Sequence, residues 1–197
     1  MKGAGIEFWG AGARVRVATY NIRHGLGTDG VIDLERTAAT IRGAGAQVVA
    51  LQELDRFWMR PGVIDPGDQP ALLAEATGFT VRFFPARRHG EAEYGLAAAQ
   101  RQPFEATFRT LPRLGREEPR IAIVTPLNGL TIVATHLSRG AGAREVQTSS
   151  SLAELASSLP GPVVVMGDLN QDRSTLAPLS RAGFAPGEEV ATLGRRQ

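Results

Sequence analysis

Four apolar runs, each closed by a polar side chain, constrain this chain more than any other feature. "VATYN" ends in Asn21, "VVALQE" in Glu53 and "TIVATH" in His136, while "VVVMG" leads into Asp168, Leu169 and Asn170. Apolar residues that do not alternate with polar ones mark strands covered on both faces. A sheet of such strands needs a layer packed on each side, which points to a layered α/β (α+β) domain. In layered α/β proteins ligands bind in the crevice at the strand ends.

The polar tips are the second half of the constraint. Burying one unpaired polar group costs roughly 2–7 kcal/mol. If the tips converge, an amide, two carboxylates and an imidazole can satisfy one another, a metal ion and a substrate. Taken singly, each has a plainer reading. Asp168 and Asn21 are then turn formers, His136 is a hydrogen-bonded structural histidine, and Glu53 belongs to a surface group with Asp55 and Arg56. That account needs four coincidences in a row. His24 and His89, in Gly- and Arg-rich loops, read as structural.

The rest of the chain alternates strands and helices. "RVRVATYN" (14–21) reads as an opening strand. "DLERTAATIRGAG" (33–45) reads as a helix capped by Asp33, with Leu34, Ala38 and Ile41 on one face. "QVVALQE" (47–53) is a buried strand, "RPGVIDPGDQ" (60–69) a loop, and "PALLAEATGF" (70–79) a short helix closed by Gly78. Thr80 to Leu137 is strand-like, with turns at "RRHGE" and "LNG". Residues 142–159 are amphipathic at helical spacing through Val146, Leu152, Leu155 and Leu159. "PVVVMG" (162–167) is the last buried strand, and 174–184 suits a short helix.

With 197 residues, 43% of them hydrophobic, the chain can bury one substantial core. We expect a flexible Gly/Ala-rich leader over 1–13 and a single domain over 14–197. There are no cysteines, so disulfides and thiolate sites are excluded and any metal must use oxygen or histidine nitrogen. The net charge of +2 is too even to argue for nucleic acid by itself. Lys2 is the only lysine; the arginines gathered between Arg82 and Arg120 read either as a solvated face or as a phosphate-facing rim. No obvious aromatic-studded basic groove for single strands is visible. No segment reads as a signal peptide or membrane span, so a cytoplasmic protein is expected, and no protein partner can be inferred.

The ordered set "ATYNIRHG", "VVALQELD", "EYG", "ATHLS" and "VVMGDLNQ" resembles the endonuclease/exonuclease/phosphatase (DNase I-like) superfamily, over about residues 16–184. The resemblance implies a four-layered sandwich, two packed and mostly antiparallel sheets flanked by helices. It also implies hydrolysis of phosphate esters (nucleic acid, phospholipid headgroup or inositol phosphate) with Mg²⁺ or Mn²⁺. By that pattern Glu53 is the principal metal ligand with Asn21 beside it. Asp168 orients or deprotonates the attacking water, and Asn170 holds a phosphate oxygen. His136 contacts the phosphate or transfers a proton, Tyr94 lies near the scissile group, and Arg120 in "EPRIAIV" is a phosphate-side arginine.

Two departures accompany the resemblance. The family's last motif is an Asp-His pair, and no histidine follows His136 here. Two positions after Tyr94, where the family commonly has a polar residue, stands Leu96. The readings left open are a truncated hydrolase, a naturally short and catalytically weak or inactive module that binds phosphate ligands or metal, and substitution of the missing imidazole by another residue such as His24.

Overall fold

A computed structural model of the chain describes residues 5–10, 13–60, 67–112, 117–139, 143–171 and 174–187. In chain order its elements are β1 (Gly5–Gly10), β2 (Ala13–Asn21), α1 (Leu34–Gly43), β3 (Val48–Arg56), α2 (Gln69–Thr77), β4 (Thr80–His89) and β5 (Ala92–Gln100). After them come β6 (Thr107–Thr110), β7 (Ile121–Leu127), β8 (Leu130–His136), α3 (Ala143–Ser157), β9 (Val163–Asp168) and α4 (Ala177–Arg181). Among the described residues the strands form a five-stranded sheet, β1-β2-β3-β5-β4, and a four-stranded sheet, β6-β7-β8-β9.

The expected leader needs correction. Residues 5–10 form β1, antiparallel to β2 from Gly5 opposite Ala18 to Gly10 opposite Ala13. The glycines at both ends of this stretch suggested looseness, but Ile, Phe and Trp between them favour a strand once a partner edge is available. The expected loop over 60–69 falls mostly outside the described residues, and its last residue, Gln69, opens α2.

The sheets pack face to face. Val15, Val17, Val48, Ala50, Leu96 and Ala98 of the first meet Ile121, Ile123, Ile132, Ala134, Val164 and Met166 of the second. On the outer face of the first sheet, Ala38 and Ile41 of α1 and Leu73 of α2 cover Val49, Leu51 and Leu54. On the outer face of the second, Leu152 and Ala153 of α3 and Leu179 of α4 cover Ala122 and Val133. This is the expected four-layered sandwich. The helix ends follow local rules: Asp33 accepts from the Arg36 amide at the start of α1, and Gly78 closes α2 at φ 71°.

Two strand pairs are parallel, β2 with β3 and β8 with β9; the rest are antiparallel. A parallel pair needs a crossover connection, and α1 and α3 supply the two required. Each sheet therefore contributes one β-α-β unit whose strands finish side by side. Asn21 lies level with Gln52, and His136 level with Asp168. Ladder bonds run one step past these tips, from the Ile22 amide to the Gln52 carbonyl and from the Leu137 amide to the Asp168 carbonyl, both at 3.0 Å.

Candidate active site

The ends of the two parallel pairs face each other across the sandwich. Asn21, from the first sheet, donates through Nδ2 to Glu53 Oε1 at 2.7 Å and to Asp168 Oδ2 of the second sheet at 2.9 Å. His136 Nε2 lies 3.8 Å from Asp168 Oδ2 and 4.0 Å from Glu53 Oε1. Asn170 Nδ2 lies 3.1 Å from His136 Nε2 and also donates to the Leu137 carbonyl. Five of the residues selected in the sequence thus form one connected group. Tyr94 and Arg120 line a pocket with His136, Leu96 and Gly95, so all seven share one region.

Glu53 reaches this group through a break in its strand. Val49 and Leu51 point to the helices, and period-two alternation would send Glu53 after them. Instead the register between β3 and β5 shifts between Gln52 and Leu54, leaving Glu53 as an inserted residue at φ 60°. Leu54 takes the place under the helices, and the carboxylate turns into the crevice. A left-handed backbone at a residue with a Cβ costs about 1–2 kcal/mol. The rest of the sheet holds it there.

A second left-handed residue, Asn170 at φ 51°, follows β9. Asparagine tolerates this conformation, and the turn swings its amide back over His136. Arg139 Nε lies 3.3 Å from Asn170 Oδ1 and fixes which side of the amide faces the ring. Between them, Gly167 at φ 145° lets β9 lie against β8. A Cβ built there would sit 1.9 Å from the Thr135 carbonyl oxygen.

Electrostatics matches this placement. Burial, assisted by the Arg120 guanidinium, holds the His136 imidazole below its ordinary value, while Asp168 and Glu53 pull it upward. At neutral pH the ring is uncharged. Its Nε2 accepts from Asn170, whose amide nitrogen can only donate, so the proton sits on Nδ1. Burial, followed by the charge of Glu53, pushes the Tyr94 hydroxyl above its usual range and keeps it protonated. Arg120 is held by Ser138 Oγ at 3.1 Å and by Glu118 at 3.4 Å.

The lowered His136 value carries a stability prediction. The unfolded chain, with a value near 6.5, takes up the proton before the folded one as pH falls. The contribution is therefore complete above that value and is lost as the solution is acidified through the folded-state value. In the presence of a chelator, the urea midpoint of the wild type should drop more steeply from about pH 7.5 to about pH 5 than that of His136→Gln. Parallel slopes would overturn this reading of the ring.

The acidic residues converge without a cluster of three carboxylate or imidazole ligands among the described residues. The donor set is two carboxylates flanked by amides, which suits a hard cation that keeps waters and takes further oxygens from a substrate phosphate. Glu53 and Asp168 would hold it, because their oxygens already converge on one point, the Asn21 amide nitrogen. Asn21 presents that nitrogen to them and accepts the Arg23 amide at Oδ1. Its oxygen would reach a cation only after a half-turn of the amide.

Several neighbours were not legible in sequence. Arg139 and Gly167 are two. Gln69, fully buried, bonds the Asp55 amide and the His24 carbonyl, and so ties the turn after β2 to the end of β3. His24 itself stands at φ 47°, with Nδ1 buried and unpartnered, and its value is lowered by burial and Arg60. His89 is exposed at the β4–β5 hairpin. The arginine-rich span divides: Arg82 pairs with the exposed Glu105 and Arg88 with the buried Glu93, whereas Arg120 lines the pocket.

The architecture defines the class first: a DNase I-like sandwich with polar strand ends gathered at one edge. The model of the endonuclease/exonuclease/phosphatase family matches residues 18–187, and the chain belongs to that family of phosphoesterase- and nuclease-type hydrolases. An endonuclease/exonuclease/phosphatase from Beutenbergia cavernae is similar at 30% identity and TM-score 0.65, over 79% of this chain and 47% of its own. A family member from Bacteroides thetaiotaomicron matches at 15% identity and TM-score 0.63, over 92% of this chain and 69% of its own. Truncated Caenorhabditis elegans TDP2 matches at 16% and 0.53, over 81% and 63%. The last two show the fold alone. This chain spans about half the length of the Beutenbergia cavernae structure. No curated protein matches it.

Proposed function

We propose that the chain carries the site of a divalent-metal-dependent phosphoesterase, Mg²⁺ or Mn²⁺ being the ion. The observation that carries this reading is the convergence of Glu53 and Asp168, from different sheets, on the Asn21 amide within 2.9 Å. Two carboxylates so close repel each other, and such an arrangement suits a cation better than an empty cleft. When bound, the metal would neutralise charge on phosphoryl oxygens, an effect worth several kcal/mol.

The side chains do the rest. Glu53 and Asp168 would hold the cation, and Asn21 spaces their oxygens. Asp168, with His136 Nε2 at 3.8 Å, is the acceptor for a proton from the attacking water. His136 is uncharged and, with Nε2 accepting from Asn170, packs a neutral ring beside the two carboxylates. Arg120 binds phosphate oxygens, Asn170 orients the His136 ring with its amide hydrogens on Nε2 and the Leu137 carbonyl, and the protonated Tyr94 donates a hydrogen bond at the pocket wall. Leu96 at that wall supplies packing and no polar contact.

The test is turnover of a generic phosphodiester with Mg²⁺ or Mn²⁺ and with a chelator. Asp168→Asn removes the base and should lower kcat about 10²-fold or more. Equal kcat in wild type and Asp168→Asn would remove the base from this scheme. A second reading, a phosphate- or metal-binding module without turnover, is motivated by Leu96 in the pocket. It predicts calorimetric Mg²⁺ binding with no hydrolysis.

A further inference from the structure

Phe57, Trp58 and Met59 follow β3 as three consecutive large apolar residues, and none of them belongs to the three buried clusters. Phe57 is 46% and Met59 63% exposed. Apolar side chains that the core does not use, placed beside a polar site, mark a binding surface. Trp58, between them, is half-buried. Its ring lies 6.4 Å from that of Tyr94, tilted by 57°, and the guanidinium of Arg87 stands 5.0 Å from its centroid. The Arg60 guanidinium sits 5.6 Å from the phenol ring of Tyr94. Arg60 is fixed there by two bonds to Asp55, at 2.7 and 3.0 Å, and that carboxylate is 1% exposed.

The result is a strip, Arg87–Trp58–Tyr94–Arg60, in which two neighbouring aromatic rings carry a cation at each end. Tyr94 within it shares the pocket with His136 and Arg120. Arginines over aromatic rings beside a phosphate-binding pocket match what a single-stranded nucleic acid offers: a planar base for the ring and a phosphate for the cation. An inositol phosphate, ringed with hydroxyls, would leave the indole face unused. A lipid surface would meet only three apolar side chains next to a cleft, too little for stable anchoring.

We propose that Trp58 is a specificity-determining residue that stacks the base next to the phosphate held at the site, and that the substrate is a single-stranded oligonucleotide. This deepens the phosphoesterase reading and rests on it for the position of the phosphate. In a Trp9→Phe background Trp58 is the single tryptophan, so its fluorescence reports the contact directly. With a chelator present to suppress turnover, a thymidylate tetramer should quench that fluorescence. It should also bind about 10- to 100-fold more tightly than a tetramer of the same backbone without bases.

Measured by fluorescence anisotropy of labelled oligomers, Trp58→Leu should abolish that base-dependent difference, and Trp58→Phe should keep most of it. Equal affinity of the wild type for both tetramers overturns the proposal. So does an undiminished difference in Trp58→Leu. Metal-dependent turnover of the thymidylate tetramer itself separates the two readings. Turnover without base preference removes the stacking role and leaves the hydrolase; base preference without turnover does the reverse.

Discussion

Glu53→Gln is expected to lower metal-dependent phosphodiester turnover by on the order of 10³-fold or more, while the metal-free protein unfolds at no lower a temperature than the wild type. The first part follows from the charge. An amide in place of the carboxylate removes half of the anionic pair that would hold the cation, and several kcal/mol of lost stabilisation corresponds to about three decades of rate. The second part follows from the geometry. Glu53 and Asp168 press two negative oxygens onto one Asn21 amide nitrogen, at 2.7 and 2.9 Å. Without a cation, neutralising one of them relieves repulsion, and glutamine can keep a hydrogen bond. Backbone strain at the bulge is the same in both proteins, so it does not enter the comparison. Steady-state kinetics across a Mg²⁺ series and thermal melts with a chelator measure the two parts. Unchanged turnover would end the case for Glu53 as a metal-holding residue. A large fall in melting temperature would show that the carboxylate serves the fold instead.

Gly167→Ala has the largest expected effect on stability. The φ of 145° is a region used essentially by glycine alone, costing of order 1–3 kcal/mol for other residues. Strain is the smaller part. The added Cβ would meet the Thr135 carbonyl oxygen at 1.9 Å, and both atoms belong to strand backbone in a register-fixed parallel pair. Neither can yield without opening the β8–β9 ladder directly below His136 and Asp168. We expect a loss above about 3 kcal/mol in denaturant unfolding, or failure to accumulate folded protein. Gly30→Ala is the control. It too has positive φ, 79°, but nothing lies within 4 Å of its Cβ, so it should suffer the strain alone. Comparable losses at the two positions would mean that the close approach is not what glycine serves at 167.

These two residues also show where sequence reading stops. Glu53 stood out as the polar end of an apolar run, and its convergence with Asn21, His136, Asp168 and Asn170 was expected and is found. The means of its arrival was not. By alternation it belongs under α1 and α2, and only pairing with β5, which puts Leu54 opposite Gly95, reveals the extra residue. Gly167 looked like a simple strand end. The strip from Arg87 to Arg60 was invisible because its members come from β4, β5 and the segment after β3, and no stretch of sequence lists them together.

What depends on neighbours along the chain is readable from the residues alone. Apolar runs without alternation required strands buried on both faces, Asp33 and Gly78 set helix ends, and the polar tips marked the edge where the candidate site lies. The direction of Glu53, the left-handed turn that lays Asn170 on His136, the strand formed by residues 5–10, and the aromatic wall beside the pocket arise only when distant segments pack together. The physical reason is that side-chain sidedness within a strand has a local period. Bulges, close backbone contacts and stacked rings are properties of pairs of segments, fixed only when the partner is in place.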